Sequence, residues 1–222
     1  MKKIIGIAIT IIILIIIIFL FKNNYKKIKS GNNISNKSID EIKEYILSIE
    51  SYNANANIEV TSNKTKNIYI VEQKYIKEGN LYKQKVLEPE NLSGLEFTYD
   101  GKDLSIKNSK LTLNKIYTDY KFIGSNELSL VKFIEDYSQN QDSKIYEENG
   151  KIIMEVEVKQ NNIYTQNKKL YIDKENDKID KLEIKDITQK TTIYILYNKI
   201  EINRLTKEEI IAFSNYPINT EI

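Results

Sequence analysis

Tyr52-Asn53-Ala54-Asn55-Ala56-Asn57-Ile58-Glu59-Val60-Thr61 is the stretch that decides the fold class. Apolar side chains at 52, 54, 56, 58 and 60 alternate with polar ones at 53, 55, 57, 59 and 61, the period of an antiparallel strand with one buried face.

Downstream the same period recurs. Turn-rich Ser62 to Asn67 leads into a second strand, Ile68 to Ile76, and Glu78-Gly79-Asn80 turns the chain into a third, Leu81 to Leu87, which Pro89 ends. Leu95, Phe97 and Tyr99 alternate with Glu96 and Thr98, Asp100-Gly101 supplies a tight hairpin turn, and Leu104 and Ile106 continue on the partner strand. Asn108-Ser109 followed by Leu111 and Leu113 suggests another hairpin. The period then switches: Leu130, Phe133, Ile134 and Tyr137 have helical spacing, behind a Ser125-Asn126 cap with Glu127 in the first turn. Strands resume with Ile152, Met154, Val156 and Val158, a turn at Gln160-Asn161-Asn162, Ile163 to Ile172, a polar turn near Asp173 to Lys178, Ile179 to Ile187, and Thr191 to Ile202. The last is apolar on both faces from Ile193 to Tyr197, which predicts a central strand covered by a helix on one side.

Upstream, Ser38 and Glu41 form a capping box, and Ile39, Ile42, Ile46 and Ile49 make one apolar helical face. At the other end Thr206 and Glu209 start a short helix. Helix, about six strands, helix, about four strands is the order that results, and it predicts an α+β domain. The expected architecture is a large curved antiparallel β-sheet with helices packed on one face, not a sandwich.

Ile4 to Phe21 is an uninterrupted apolar run, with Gly6, Ala8 and Thr10 its only small members. At about 1.5 Å per residue it would span roughly 27 Å as a helix, close to the hydrocarbon thickness of a bilayer. Two membrane readings compete, a cleaved signal peptide and an uncleaved signal anchor. No small-residue cleavage site follows the run, and the chain has no Cys for lipid attachment, so the anchor is expected. Lys22, Lys26, Lys27 and Lys29 outnumber Lys2 and Lys3, against the usual positive-inside bias, whereas the short basic start followed by an apolar run is that of an exported chain. The expected organisation is a membrane anchor over 1–21, a flexible Lys- and Asn-rich stalk over 22–37, and an extracytoplasmic domain over 38–222.

Composition removes many chemistries. The 222 residues hold 33 Lys plus Arg against 31 Asp plus Glu, for a net charge of +2, and no His, Cys or Trp. That excludes a thiol nucleophile, a Ser-His-Asp triad, zinc fingers and His-ligated haem. A pI of 8.3 without a basic stripe argues against nucleic-acid binding.

The remaining motifs read mostly as structure. Ser129-Leu130-Val131-Lys132 has the S-x-x-K spacing of penicillin-binding proteins, but the accompanying K-T-G and S-D-N segments are absent, leaving a polar Ser in a first helical turn and a solvated Lys. Asp173, Glu175 and Asp177 alternate as in a calcium loop, yet Lys178 and Ile184 occupy the positions that need Gly and a bidentate Glu, so a polar hairpin turn is expected. Glu147-Glu148, or Glu155 with Glu157, would be the carboxylates of a glycosidase-like site, but Glu155 and Glu157 fall on the wet face of their strand. The 16 Tyr suit strands with a polar tip better than a stacking platform. No catalytic, metal-ligating or cofactor-binding residue is assigned. On the apolar face, Ala54, Ala56, Ile58, Leu95 and Phe97 either line a ligand cavity or let a helix approach closely.

With its Phe97-Thr98-Tyr99-Asp100-Gly101-Lys102-Asp103-Leu104-Ser105-Ile106 hairpin, this element order resembles the LolA-like lipoprotein-carrier fold. Tyr45-Ile46-Leu47-Ser48-Ile49-Glu50-Ser51-Tyr52 in an anchored, Lys- and Asn-rich chain is similar to the GerS-related germination lipoproteins of spore-forming bacteria. The resemblance runs from residue 38 to about 205. It implies a half-open antiparallel sheet around helices, and an extracytoplasmic protein that is not an enzyme. GerS-like members associate with a cell-wall amidase acting on spore-cortex peptidoglycan, and LolA-like members bind lipoprotein acyl chains. Lacking Cys, this chain departs from the lipoprotein pattern, with a transmembrane anchor in place of the lipid. Three functions are therefore weighed: an anchored module docking a cell-envelope protein such as an amidase, a lipid or lipoprotein carrier, and a carboxylate-dependent peptidoglycan enzyme. The partners expected are the membrane through residues 4–21, an envelope protein, lipid in the carrier reading, and a second copy through a sheet edge.

Overall fold

The computed structural model describes residues 34–62, 64–121, 126–158 and 162–211. Helix α1 is Ile39–Leu47. Six strands follow: β1 Ser51–Thr61, β2 Lys66–Ile76, β3 Leu81–Glu88, β4 Glu96–Asp100, β5 Leu104–Asn108 and β6 Leu113–Tyr117. Helix α2 is Leu130–Gln139, and five more strands come after it: β7 Lys144–Glu148, β8 Lys151–Glu157, β9 Asn167–Asp173, β10 Lys178–Lys185 and β11 Thr191–Ile202. The short helix α3, Lys207–Ile211, ends the described chain. Among the described residues no helix is long and apolar enough to cross a membrane. The expected anchor, and the stalk as far as residue 33, lie outside them.

All eleven strands form one antiparallel sheet in the order β6-β5-β4-β3-β2-β1-β11-β10-β9-β8-β7. Among the described residues the sheet is open, since β6 and β7 each have one strand neighbour. Sequence neighbours pair as hairpins throughout, and only β1 with β11 joins the two halves. These two strands are the longest-range pairing and sit at the centre, as the doubly apolar pattern of β11 predicts.

One face of the sheet is packed with helices. Tyr52, Ala54, Ala56 and Ile58 of β1, with Ile195, Tyr197, Leu182, Leu170 and Met154 from other strands, share one core cluster with Ile42 and Ile46 of α1 and with Leu130 and Phe133 of α2.

 From β1 the buried set is Tyr52, Ala54, Ala56 and Ile58, each at most 1 % exposed. Burying Ile42 and Ile46 stabilises the docked α1 by roughly 1.5–3 kcal/mol each, an upper estimate for full transfer from water. The expected capping box forms: Ser38 accepts from the Glu41 backbone N–H, and Glu41 accepts from the Ser38 N–H. In β11 the buried positions change from odd (193, 195, 197) to even (202) at a bulge opposite Asn55 and Ala56, where the amide of Asn198 bonds Asn57 across the strands at 2.8 Å.

Several boundaries differ from expectation. Strand β7 is an addition, and the second half of the chain supplies five strands where four were expected. Ile145 is the one core-packed apolar side chain of β7, so no alternation announces the strand. Leu111 lies in a turn before β6, while Ile163 and Ile187 lie beyond the ends of β9 and β10. Helix α2 is capped by Ser129, whose hydroxyl accepts from the Val131 N–H, and not by Ser125-Asn126; Ser125 itself lies outside the described residues. Gln160-Asn161, expected in a turn, also lie outside them.

Candidate interaction surface

Register places two rows of side chains across the helix-covered face. Tyr52, Tyr75, Tyr82, Tyr99, Leu104 and Tyr117 face one another across β1 to β6. The next row holds Ala54, Gln73, Gln84, Phe97 and Ile106. Four of the tyrosines, Tyr52, Tyr75, Tyr82 and Tyr99, are therefore core residues, and three of their hydroxyls meet local partners. Tyr82 donates to Gln84 Oε1 at 2.9 Å, Tyr99 donates to the Gly101 carbonyl at 2.8 Å, and Tyr52 lies 3.3 Å from Ser129 Oγ. Burial pushes the Tyr52 and Tyr82 hydroxyls above the ordinary tyrosine pKa, so they stay protonated and neutral.

Ala54, Ala56 and Ile58 are buried within this core, and Leu95 and Phe97 are half-buried against it. Phe97 is in the same row as Ala54, three strands away, whereas Leu95 precedes β4 and its carbonyl accepts from the Val86 N–H. The five thus share a face without converging on one point.

Sequence reasoning missed the polar groups beneath α2. Lys168, at an inward position of β9, bonds Asp136 at 2.5 Å and also bonds Glu127. Lys132 bonds the other oxygen of Asp136 at 2.6 Å and is itself buried, so it is not the solvated lysine expected from the S-x-x-K reading. Burial opposes the Lys132 charge, but the hydrogen bond and charge of Asp136, with Glu135 and Glu127 adding to them, hold its pKa above the usual lysine value. Ser129 is likewise buried, as a cap and as the neighbour of Tyr52. The signal for this cluster was a lysine at 168 where the alternation Leu170, Ile172 wants an apolar residue. Gln73 is a second case: its amide donates to Gln84 Oε1 and to the Leu128 carbonyl, tying the sheet to the segment before α2.

The carboxylates considered for catalysis are spread along the β7–β8 hairpin. Glu155 accepts from Tyr146 at 2.9 Å and pairs with Lys169 at 3.1 Å, while Glu147, Glu148 and Glu157 are exposed. Although burial of Glu155 works the other way, the Tyr146 and Lys169 contacts keep its pKa below the ordinary glutamate value, so it is a carboxylate without a proton to donate near neutral pH. Asp173 to Lys178 is a hairpin turn in which Asp173 accepts from the Asn176 backbone and side chain, both at 2.9 Å. No group of three or more acidic side chains that would hold a metal ion occurs among the described residues.

Exposed apolar side chains concentrate elsewhere. Leu111, Ile116, Tyr117 and Tyr120 are 54, 54, 44 and 38 % exposed and fall within one stretch of chain. Two of them belong to β6, whose one strand partner among the described residues is β5. The opposite edge, β7, is different, because α1 packs beside it and Tyr146 is engaged by Glu155 and Lys169. An edge strand with exposed apolar groups is a template for pairing unless something blocks it.

No family model and no curated protein matches the chain. Similar solved structures include that of the CwlD amidase from Clostridioides difficile in complex with the GerS lipoprotein, at 24% identity over 73% of this chain and 92% of that one, with a TM-score of 0.48. An uncharacterized conserved protein from Thermus thermophilus is 12% identical over 82% of this chain and 96% of its own, with a TM-score of 0.49. The LolA superfamily protein NE2245 from Nitrosomonas europaea is 12% identical over 78% and 97%, with a TM-score of 0.41. This likeness is one of fold.

Proposed function

We propose that the chain is a membrane-anchored, non-enzymatic extracytoplasmic binding protein that docks another protein of the cell envelope. The observation that carries this reading is the apolar β6 edge, exposed in a domain whose helix-covered face is otherwise filled by its own side chains. The apolar run over residues 4–21 supplies the tether and the polar stretch from 22 up to residue 33 the stalk, Ile34 being buried in the domain core; tethering would raise the local concentration of any envelope partner. The class of partner follows from the GerS-related character of the sequence: a peptidoglycan amidase of the spore cortex.

Affinity purification of the full chain from detergent-solubilised envelope, with mass spectrometry of what is retained, tests the reading. Specific retention of an amidase is the expected result, and retention of no specific protein would overturn it. Placement outside the cytoplasm is tested separately, by an impermeant thiol reagent acting on intact cells that carry one engineered surface Cys. Failure to label would place the domain on the inner side.

A carrier reading draws on a different feature. Val60, Tyr164 and Ile193 line a groove of about 470 Å³, with Lys64 and Lys190 also in its wall against the single acidic Asp186. Apolar walls with basic groups suit an anionic amphiphile. Native mass spectra of the purified chain that show no bound lipid, together with no displacement of a fatty-acid probe, would sink this version.

A further inference from the structure

We propose that β6 recruits its partner by strand addition, and that the segment it accepts is extended and acidic. The proposal rests on the docking function above and names the site and mode of contact. As the end strand of an antiparallel sheet, β6 directs alternate backbone N–H and C=O groups away from β5, and its five residues offer about 17 Å of ladder at roughly 3.4 Å per residue.

The side chains flank that ladder on both faces. Tyr117 pairs with buried Leu104 and so lies on the helix-covered face of the sheet, whereas Ile116 pairs with Ser105 and lies on the other. Both are exposed, so an added strand finds an apolar neighbour on either side of its pleat.

Charge selects the occupant. Between residues 107 and 119 the chain carries Lys107, Lys110 and Lys115 against Asp119 alone, and Asp119 sits 3.7 Å from Lys102. An acidic strand complements this stretch. A second β6 does not, because antiparallel pairing centred on the middle residue of the strand would set Lys115 against Lys115. Lysine on an edge is a common device against self-pairing, and here it also admits a partner of opposite charge.

The test measures hydrogen exchange across residues 113–117 in the full chain in detergent, with a synthetic peptide that alternates Glu with Val, Ile or Tyr as probe. The acidic peptide is expected to protect these amides, and its Lys-for-Glu counterpart is not. N-methylation of one alternate set of peptide amides should abolish protection and methylation of the other set should leave it. The exposed substitutions Lys110→Glu and Lys115→Glu together should weaken binding by about tenfold or more. Equal protection by all peptides, protection by none, or insensitivity to the two charge reversals would overturn the proposal. Protection that appears without peptide and grows with protein concentration would replace it with a second copy as the occupant. If an envelope protein is retained by the full chain while residues 113–117 stay unprotected, strand addition fails and the docking function stands. Retention of nothing defeats the docking function itself.

Discussion

Lys168 Nζ lies 2.5 Å from Asp136 Oδ2, with the two side chains 1 and 4 % exposed, so a strand and a helix distant in sequence are joined by a buried ion pair. Asp136 also holds Lys132, and Glu127 completes the contacts of Lys168. Such a group is costly to break because the remaining charge stays buried, and its net worth against an apolar replacement is small.

Asp136→Ala, which strips a partner from both lysines, should therefore cost about 3–5 kcal/mol in urea unfolding. The combined change Lys132→Met, Asp136→Leu and Lys168→Met removes all three buried charges and should recover most of that loss. A triple variant no more stable than Asp136→Ala would show that the ion pairs contribute net stability.

Gly101 has φ +96°, and a Cβ there would fall on the Gly79 carbonyl oxygen of the neighbouring β2–β3 turn. Gly150, at φ +74°, has nothing within 4 Å of that position. Gly150→Ala should cost about 1 kcal/mol, for the backbone conformation alone. Gly101→Ala should cost at least about 2 kcal/mol, because either the turn or the hairpin must move. Equal melting temperatures for the two variants would refute the close approach.

Ser129→Ala removes the cap of α2 and the hydroxyl partner of Tyr52 together. About 1–2 kcal/mol of stability should be lost. In Ser129→Ala combined with Tyr52→Phe the second substitution should cost less than Tyr52→Phe alone, which a double-mutant cycle measures.

Burial raises the pKa of Tyr52, Tyr82 and Tyr197 from the unfolded value of 10.0. A phenol held neutral in the fold contributes stability that is complete below the unfolded pKa and is lost as pH rises toward the folded value. Stability should thus fall above pH 10.0, by up to about 1.4 kcal/mol per pH unit for each tyrosine still protonated in the folded chain. Phenolate absorbance followed alongside circular dichroism checks this: these three should ionise only with unfolding, and their titration in the intact fold would contradict the packing.

Much of the architecture was legible because burial of one face writes itself into sequence with period two. Tyr52 to Thr61, the Asp100-Gly101 turn, the capping box of Ser38 and Glu41, and the central position of β11 were all readable in this way. Strand β7 was not, because an edge strand with one core-packed apolar side chain carries no alternation. The α2 cap was misplaced because Ser and Asn at several neighbouring positions offer equivalent hydroxyl or amide acceptors, and only the path of the chain selects Ser129.

The amino-acid sequence by itself determined the antiparallel sheet, the two amphipathic helices and the exclusion of thiol and histidine chemistry, since each depends on residue type and local spacing. Tertiary structure alone decided that Lys168 meets Asp136, that Gln73 reaches the Leu128 carbonyl, and that β6 is left with an open edge while α1 lies beside β7. Those are pairings between distant segments. Local propensity sets a strand's period but not its neighbours, whereas register and strand order follow from which faces must be buried together.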